Sequence, residues 1–308
     1  MTTEPDPAAP IMTPKKGWLL LDAARLRDPL WLLRLALVVA VPALLLGVSD
    51  PASMLAQWGL PFVGVAGALV ANSTGIGGGV VFVPAFDHLG LENEQIVGTS
   101  LLIQSFGMSM GALTFLARRR SEGPVPGALA SREYRAIVLL AVIPSVLAGI
   151  AATHAGLRPD LPLKLIYKAI SLLLVVLIIG STLTRARGNG RFSLGLDGSM
   201  LIFLGLIGGL FVGWISIGVG ELVGVYLLLR GFRTSEAIGL AVLITALCVL
   251  ALQATHFPGL PADVEFGLMV TLGALPGAFL APYLLQRVGP ARVKGFCAFW
   301  ILLSIAVA

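Results

Sequence analysis

Residues 71–84 read ANSTGIGGGVVFVP, and residues 212–225 read VGWISIGVGELVGV. Each stretch lies at the middle of a longer apolar segment, 59–90 in the first case and 199–230 in the second. As one straight helix, a segment of roughly 32 residues would be about 48 Å long, which overshoots a hydrocarbon core of about 30 Å. The central glycines disfavour continuous helix, because glycine loses more backbone freedom on ordering than any other residue. Each segment is therefore expected to form two half-helices of about 15 residues that meet at a non-helical break.

The two segments are copies. A shift of 141 residues aligns them without a gap, pairing Leu60/Leu201, Phe62/Phe203, Gly64/Gly205, Gly67/Gly208, Leu69/Leu210 and Ile76/Ile217. It also pairs Gly77/Gly218, Gly79/Gly220, Gly90/Gly231, Gly98/Gly239, Leu102/Leu243 and Ile103/Ile244. These are 12 identities in the 44 positions from 60 to 103, and six of them are glycines. Farther along, Ile143-Pro144 stands beside Leu275-Pro276 in a looser match. An internal repeat of this kind is the signature of a chain built from two similar halves.

Composition fixes the solvent. Of the 308 residues, 57% are hydrophobic and 12% charged, with a mean hydropathy of +0.93. A soluble domain carries about 25% charged residues, so this surface must face lipid. The net charge of +5 comes from short basic clusters in loops, not from one stripe, which argues for membrane topology and against nucleic acid as a partner. Cys248 and Cys297 sit inside apolar runs and read as buried thiols. There is no Cys/His ligand spacing, so neither a metal nor a cofactor is expected. Glycine, at 37 residues, is in excess.

Working outward, residues 18–30 suggest a helix lying on the membrane surface, and 31–48 an extra N-terminal span. Further spans are expected at 96–117, 134–155, 163–183, 236–256, 264–285 and 291–307. Lys15, Lys16, Arg25 and Arg27 place the N-terminus in the cytoplasm, and Arg118, Arg119, Arg120 and Arg132 place the loop after 96–117 there too. Arg185, Arg187 and Arg191, then Arg230 and Arg233, then Arg287, Arg292 and Lys294 mark further cytoplasmic ends. Arg158, Lys164 and Lys168 fall on the outer side as exceptions. Each broken segment then starts and ends on one side, the first outside and the second inside. The expected fold is an all-α polytopic membrane protein with an inverted repeat. Each repeat is a broken, re-entrant hairpin plus three transmembrane helices. The expected divisions are a cytoplasmic tail and interfacial helix (1–30), the extra N-terminal helix and loop (31–58), repeat 1 (59–183), a cytoplasmic linker (184–198) and repeat 2 (199–308).

A break at membrane depth is tolerated where protein or a polar cavity surrounds it. Helix N-termini present unpaired N–H groups and a positive dipole end, and small residues let a ligand reach them. Candidate anion-binding residues are Asn72, Ser73, Thr74, Gly75, Gly77, Gly78 and Gly79 in the first copy, with Thr99, Ser100 and Gln104 on the following span. Ser216, Gly218, Gly220 and Thr245 are the candidates of the second copy. The alternatives are glycines that only permit close helix packing, and hydroxyls that bond their own helix. Glu221 is an acid in an otherwise apolar half-helix. A charge at the bilayer centre costs at least about 2.5–3.5 kcal/mol, so the group should be neutral, paired or facing a polar cavity. Glu221 is therefore the proton-coupling candidate, since its charge would repel a bound anion; a structural hydrogen bond is the alternative.

The motif GIGGGVVFVPAFDHLGL (75–91), followed by IVGTS (96–100), resembles the sulfite exporter TauE/SafE family of anion permeases. The second copy, GLFVGWISIGVGEL (209–222) followed by AIGLA (237–241), is similar to that family's second repeat. The likeness covers about residues 59–307. Ser216, Val219 and Glu221 stand where a fuller glycine motif is expected, and Val225 replaces the repeat partner of Pro84. The resemblance implies a secondary transporter of a bacterial inner membrane that moves small sulfur-containing anions such as sulfite, thiosulfate or organosulfonates. The expected mechanism is alternating access, with protons as coupling ion, and a homodimer is left open. Rival readings are an uncoupled anion channel, a membrane scaffold, and an intramembrane hydrolase using Ser73 or Ser216. The hydrolase needs a base within reach, and His88, His154 and His256 fall near span ends.

Overall fold

The protein is described by a computed structural model for residues 28–123, 125, 127–155, 157, 162–183, 190–256 and 261–307. The expected interfacial helix over 18–30 and the basic residues of the tail therefore lie almost wholly outside the described residues. The helices are α1 (Pro29–Val48), α2 (Pro51–Ala56), α3 (Leu60–Thr74), α4 (Gly79–His88), α5 (Asn93–Glu122) and α6 (Ser131–His154). The second half adds α7 (Leu163–Leu183), α8 (Leu194–Ile215), α9 (Val219–Leu229), α10 (Thr234–His256), α11 (Val264–Val288) and α12 (Pro290–Val307). Among the described residues, α1, α5, α6, α8, α10 and α11 are long and apolar enough to cross a membrane, while α3 and α9 are shorter apolar helices.

Local chemistry sets the ends. Asp28, Asp50 and Asp263 cap α1, α2 and α11, their carboxylates accepting from Leu30 N (3.1 Å), Ala52 N (2.9 Å) and Phe266 N (3.0 Å). Gly75 ends α3 in the left-handed region (φ 75°). Ser216 ends α8 the same way (φ 59°). The two caps are repeat partners under the 141-residue shift.

α8 departs from the expected half-helix. It begins at Leu194, inside the stretch expected to be a linker, and runs 22 residues. Asp197, in its first turn, is fully buried and matched. Its carboxylate accepts from Arg230 Nε (2.8 Å), Tyr226 Oη (2.6 Å) and Ser193 N (2.6 Å). Replacing Arg230 with alanine should therefore cost about 3 kcal/mol, because it strands a buried carboxylate. Thermal unfolding in detergent should show the loss, and the double substitution Arg230→Ala with Asp197→Asn should recover most of it.

The packing respects the repeat. With α3 matched to α8, α4 to α9, α5 to α10, α6 to α11 and α7 to α12, the largest contacts between the halves have counterparts: α3–α11 with α8–α6, α5–α11 with α10–α6, and α4–α12 with α9–α7. Glycines make these approaches possible. A Cβ on Gly64 would fall 2.8 Å from Ala274 N on α11, and one on its repeat partner Gly205 would fall 2.6 Å from the Ala141 carbonyl oxygen on α6. Close approach of this kind is how helices associate in lipid, where burial of apolar surface drives nothing.

Helix ends fall into two groups. At one end Arg120 lies 3.7 Å from Asp28, Arg118 donates to the Pro282 carbonyl (2.9 Å), and Arg119 pairs with Glu236. At the other, Asp263 N donates to Thr99 Oγ1 (2.9 Å), Ser53 bonds Glu265, and Lys164 lies 3.0 Å from Asp87. The pair with Asp87 gives Lys164, a topological exception in the sequence, an acidic partner. Large apolar side chains such as Leu46, Phe62, Val176 and Phe203 stay exposed, as lipid contact requires.

Candidate functional site

The two breaks cross one another at the centre of the bundle, with Gly79 packed against the Ser216 carbonyl and Ile217. At the crossing, Glu221 is 1% exposed. Its Oε1 accepts from Gly77 N at 2.6 Å, and its Oε2 accepts from Gly218 N at 2.9 Å. Gly77 and Gly218 are repeat partners. One carboxylate thus spans the two breaks, with one oxygen on each of two equivalent amides.

Each amide is free to donate for a local reason. Gly218 precedes α9, and Glu221 is its third residue, so the carboxylate folds back onto the cap N–H as in a capping box. Gly77 precedes α4, where no residue of its own helix caps it. The position equivalent to Glu221 in the first copy is Val80, so the carboxylate is supplied from one repeat alone.

Gln104 on α5 makes the second bridge. Its Oε1 accepts from Gly78 N (3.2 Å), while its Nε2 donates to Ser216 O (3.0 Å), Ser216 Oγ (2.6 Å) and Ser100 Oγ (3.2 Å). Ser216 Oγ also donates to Ser100 Oγ (3.1 Å). These bonds explain a serine in the left-handed region, where a non-glycine backbone costs of order 1 kcal/mol or more. Ser216 is the one non-glycine residue with positive φ among those described.

The structure thus brings together Gly77, Gly78, Ser100, Gln104, Ser216, Gly218 and Glu221. The other sequence candidates are placed differently. Ser73 and Thr74 donate to the Val70 carbonyl of their own helix (3.2 and 2.8 Å), and Thr245 to Ala241 (2.9 Å), the back-bonding common to hydroxyls in helices. Thr99 Oγ1, one residue before Ser100, accepts instead from Asp263 N (2.9 Å). Asn72 Nδ2 donates to the Ala68 carbonyl (2.9 Å), and its Oδ1, lodged against Gly111, has no hydrogen-bond partner among the described residues. Gly75 supplies the turn, and Gly220 the close approach to Thr245 and to the Ala241 carbonyl (3.0 Å from an added Cβ). The direct link from Glu221 to Gly77 was not foreseen from the residues. Its signals were the alignment of Gly77 with Gly218 and the three-residue step from Gly218 to Glu221. His88 and His154 stand exposed at helix ends.

A helical membrane bundle whose two repeats cross at buried, polar helix breaks has the build of a transporter rather than an enzyme. The profile described as "Sulfite exporter TauE/SafE" matches residues 60–308, and the chain belongs to that family of membrane transporters. It is also similar to the probable membrane transporter protein YjnA of Bacillus subtilis (strain 168), 26% identical over 251 residues, covering 77% of this chain and 93% of that protein. No solved structure matches the chain.

Proposed function

We propose that this transporter carries small sulfur-containing oxyanions of the sulfite, thiosulfate or sulfonate class across a bacterial inner membrane, by alternating access and with protons. The reading rests on one observation: the amides of Gly77 and Gly218 already hold the two oxygens of an anion, the Glu221 carboxylate. Backbone N–H groups at helix starts bind oxyanions without a full positive charge. Such a site holds an anion yet lets it go, as carriage requires. The hydroxyls of Ser100 and Ser216 and the Gln104 amide surround it with further polar groups.

Substrate and Glu221 compete for the same donors. An incoming anion must displace the carboxylate, and two anions at that spacing repel strongly inside protein. A proton on Glu221 removes the repulsion, so anion and proton load together. In this scheme the repeats are inverted and the N-terminus is cytoplasmic. The grouping of helix ends supports it: α4 ends beside α7 at Asp87–Lys164, whereas α9 ends at the start of α8 through Arg230–Asp197.

Thermal-shift titration of the purified protein with sulfite, thiosulfate, a sulfonate, sulfate and a carboxylate tests the substrate class. Saturable stabilisation by the sulfur oxyanions is expected, about 2.7 kcal/mol at one hundred times Kd. Stabilisation by carboxylates alone would overturn the class.

A further inference from the structure

A cavity of about 1130 Å³ opens where α5 ends and α6, α10 and α11 approach it. It lies at the end of the bundle that carries the basic loops. Its lining contains Arg118, Arg119, Arg120, Arg135 and Arg233 against Glu122, Glu133 and Glu236. The acids are committed. Glu122 lies 3.2 Å from Arg118, Glu236 pairs with Arg119 and accepts from Leu129 N (3.0 Å), and Glu133 accepts from Ala130 N (2.9 Å) at the start of its own helix. Arg120 turns to Asp28 at 3.7 Å. Arg135 Nε donates to the Ser131 carbonyl (3.3 Å). Neither Arg135 nor Arg233 has a carboxylate partner among the described residues. Among the described residues, these two guanidinium groups therefore line the space without a carboxylate partner.

The lining of the cavity stops one apolar layer short of the first break. Phe115 and Gly239 line it, with the Phe115 ring lying on Gly239 so closely that a Cβ there would meet Cδ1 at 3.2 Å. Two residues on, about 3 Å along α10, Ala241 touches the first break: a Cβ on Gly75 would lie 3.0 Å from the Ala241 Cβ and 3.4 Å from the Ile238 Cα. Phe115, Ile238, Val242, Ala71, Met108 and Ala112 fill the interval as one apolar layer.

We propose that this arginine-walled cavity is the mouth through which the transported oxyanion reaches the crossing, with Phe115 as its gate. The inference rests on the anion-carrier reading above. A cleft whose wall carries a net positive charge, here five arginines against three glutamates, raises the local concentration of anions and speeds their capture, by about 10-fold at low salt. Capture at the mouth also relieves the crossing of the need for a fixed cation. Phe115 lies against a glycine, at the cavity side of the apolar layer that separates the mouth from the first break. A sulfur oxyanion and an anionic lipid headgroup share the chemistry that Arg135 and Arg233 recognise; the lining at Phe115 and Gly239, two residues along α10 from the Ala241 contact with the first break, favours the transported anion.

Two measurements decide it, both on the full chain carrying Arg135→Gln with Arg233→Gln. The first reads the field without transport. A cysteine at Ser131, with Cys248 and Cys297 replaced by alanine, is treated with a sulfonate-bearing and a trimethylammonium-bearing methanethiosulfonate. The anionic reagent should gain about 10-fold over the cationic one, relative to their rates on a free thiol. The gain should shrink several-fold in the double variant and at high salt. A ratio that neither the substitutions nor salt alters overturns the proposal.

The second reads uptake of radiolabelled sulfite in oriented liposomes. From the arginine face the double variant should show KM raised about 5-fold at low salt with kcat kept, while KM from the opposite face stays unchanged. An equal change from both faces overturns the proposal. So does a change that appears only when phosphatidylglycerol is added to phosphatidylcholine vesicles, since the arginines then hold lipid. If the wild type moves no sulfite, the substrate class proposed above fails, and the reagent ratio decides the cavity by itself.

Discussion

Glu221→Gln should uncouple transport from the proton gradient. In liposomes the wild type is expected to take up sulfite faster when a pH gradient is imposed, and the variant to respond at least 10-fold less. The reason lies in the two bonds from Gly77 N (2.6 Å) and Gly218 N (2.9 Å). A carboxylate accepts at both oxygens. A carboxamide accepts at one and presents an NH2 group to the other amide, so one bridge is broken whichever way the side chain turns. The variant also carries no proton to gain or lose. Substrate then meets a weaker and uncharged competitor, and uptake without a gradient should survive. Lost charge-assisted bonds cost about 1.5–3 kcal/mol each, offset here because no charge is buried; thermal unfolding of the variant separates misfolding from uncoupling. A pH-gradient response that persists undiminished in a folded variant would remove Glu221 from the coupling.

Gly79→Ala should abolish most sulfite uptake by forcing the two breaks apart. A Cβ there would overlap the Ser216 carbonyl and come within 2.5 Å of Ile217 Cγ1. The obstruction is backbone, so rotamer changes cannot relieve it. The two breaks would have to separate, carrying Gly77 N away from the carboxylate seated on Gly218 N. Overpacking of this kind costs about 1–3 kcal/mol. The expected loss of sulfite uptake is larger, about 100-fold, since a displacement near 1 Å at a site disrupts its geometry. Gly180→Ala and Gly47→Ala are the controls. An added Cβ at either position meets nothing within 4 Å. A helical Gly→Ala change in open space is neutral or stabilising by up to about 1 kcal/mol, so both should keep uptake. Equal damage from all three would mean that the crossing has no special role.

Much of the fold was legible because lipid imposes simple rules. Apolar length located α5, α6, α10 and α11 within a few residues, and the glycine pairs of the 141-residue shift marked both breaks. α8 starts at Leu194, earlier than the expected 199, and its first turn is tied by Asp197 to Arg230 and Tyr226, partners about 30 residues away that the sequence alone does not pair with it. At the site, the backbone was easier to read than the side chains. Glycines mark an exposed N–H directly. A hydroxyl can bond its own helix or a neighbour, and Thr74, Thr245 and Ser216 divide between these outcomes by tertiary placement. Gln104 and Thr245 are repeat partners, but only the longer side chain reaches the opposite break. The glycine excess has two sources: some glycines form the breaks, and others, such as Gly64 and Gly205, let α3 and α8 close onto the opposite repeat.

The central claim is that a transported anion takes the place of the Glu221 carboxylate on Gly77 N and Gly218 N as that carboxylate takes up a proton. It is tested most directly by titrating the detergent-solubilised protein, in weak buffer with a pH indicator, with thiosulfate or a sulfonate, anions that hold no titrating proton near neutrality. The expected result is uptake of about one proton per anion bound by the wild type, and none by Glu221→Gln at comparable occupancy. Anion binding by the wild type without proton uptake, or equal uptake by both proteins, would contradict it.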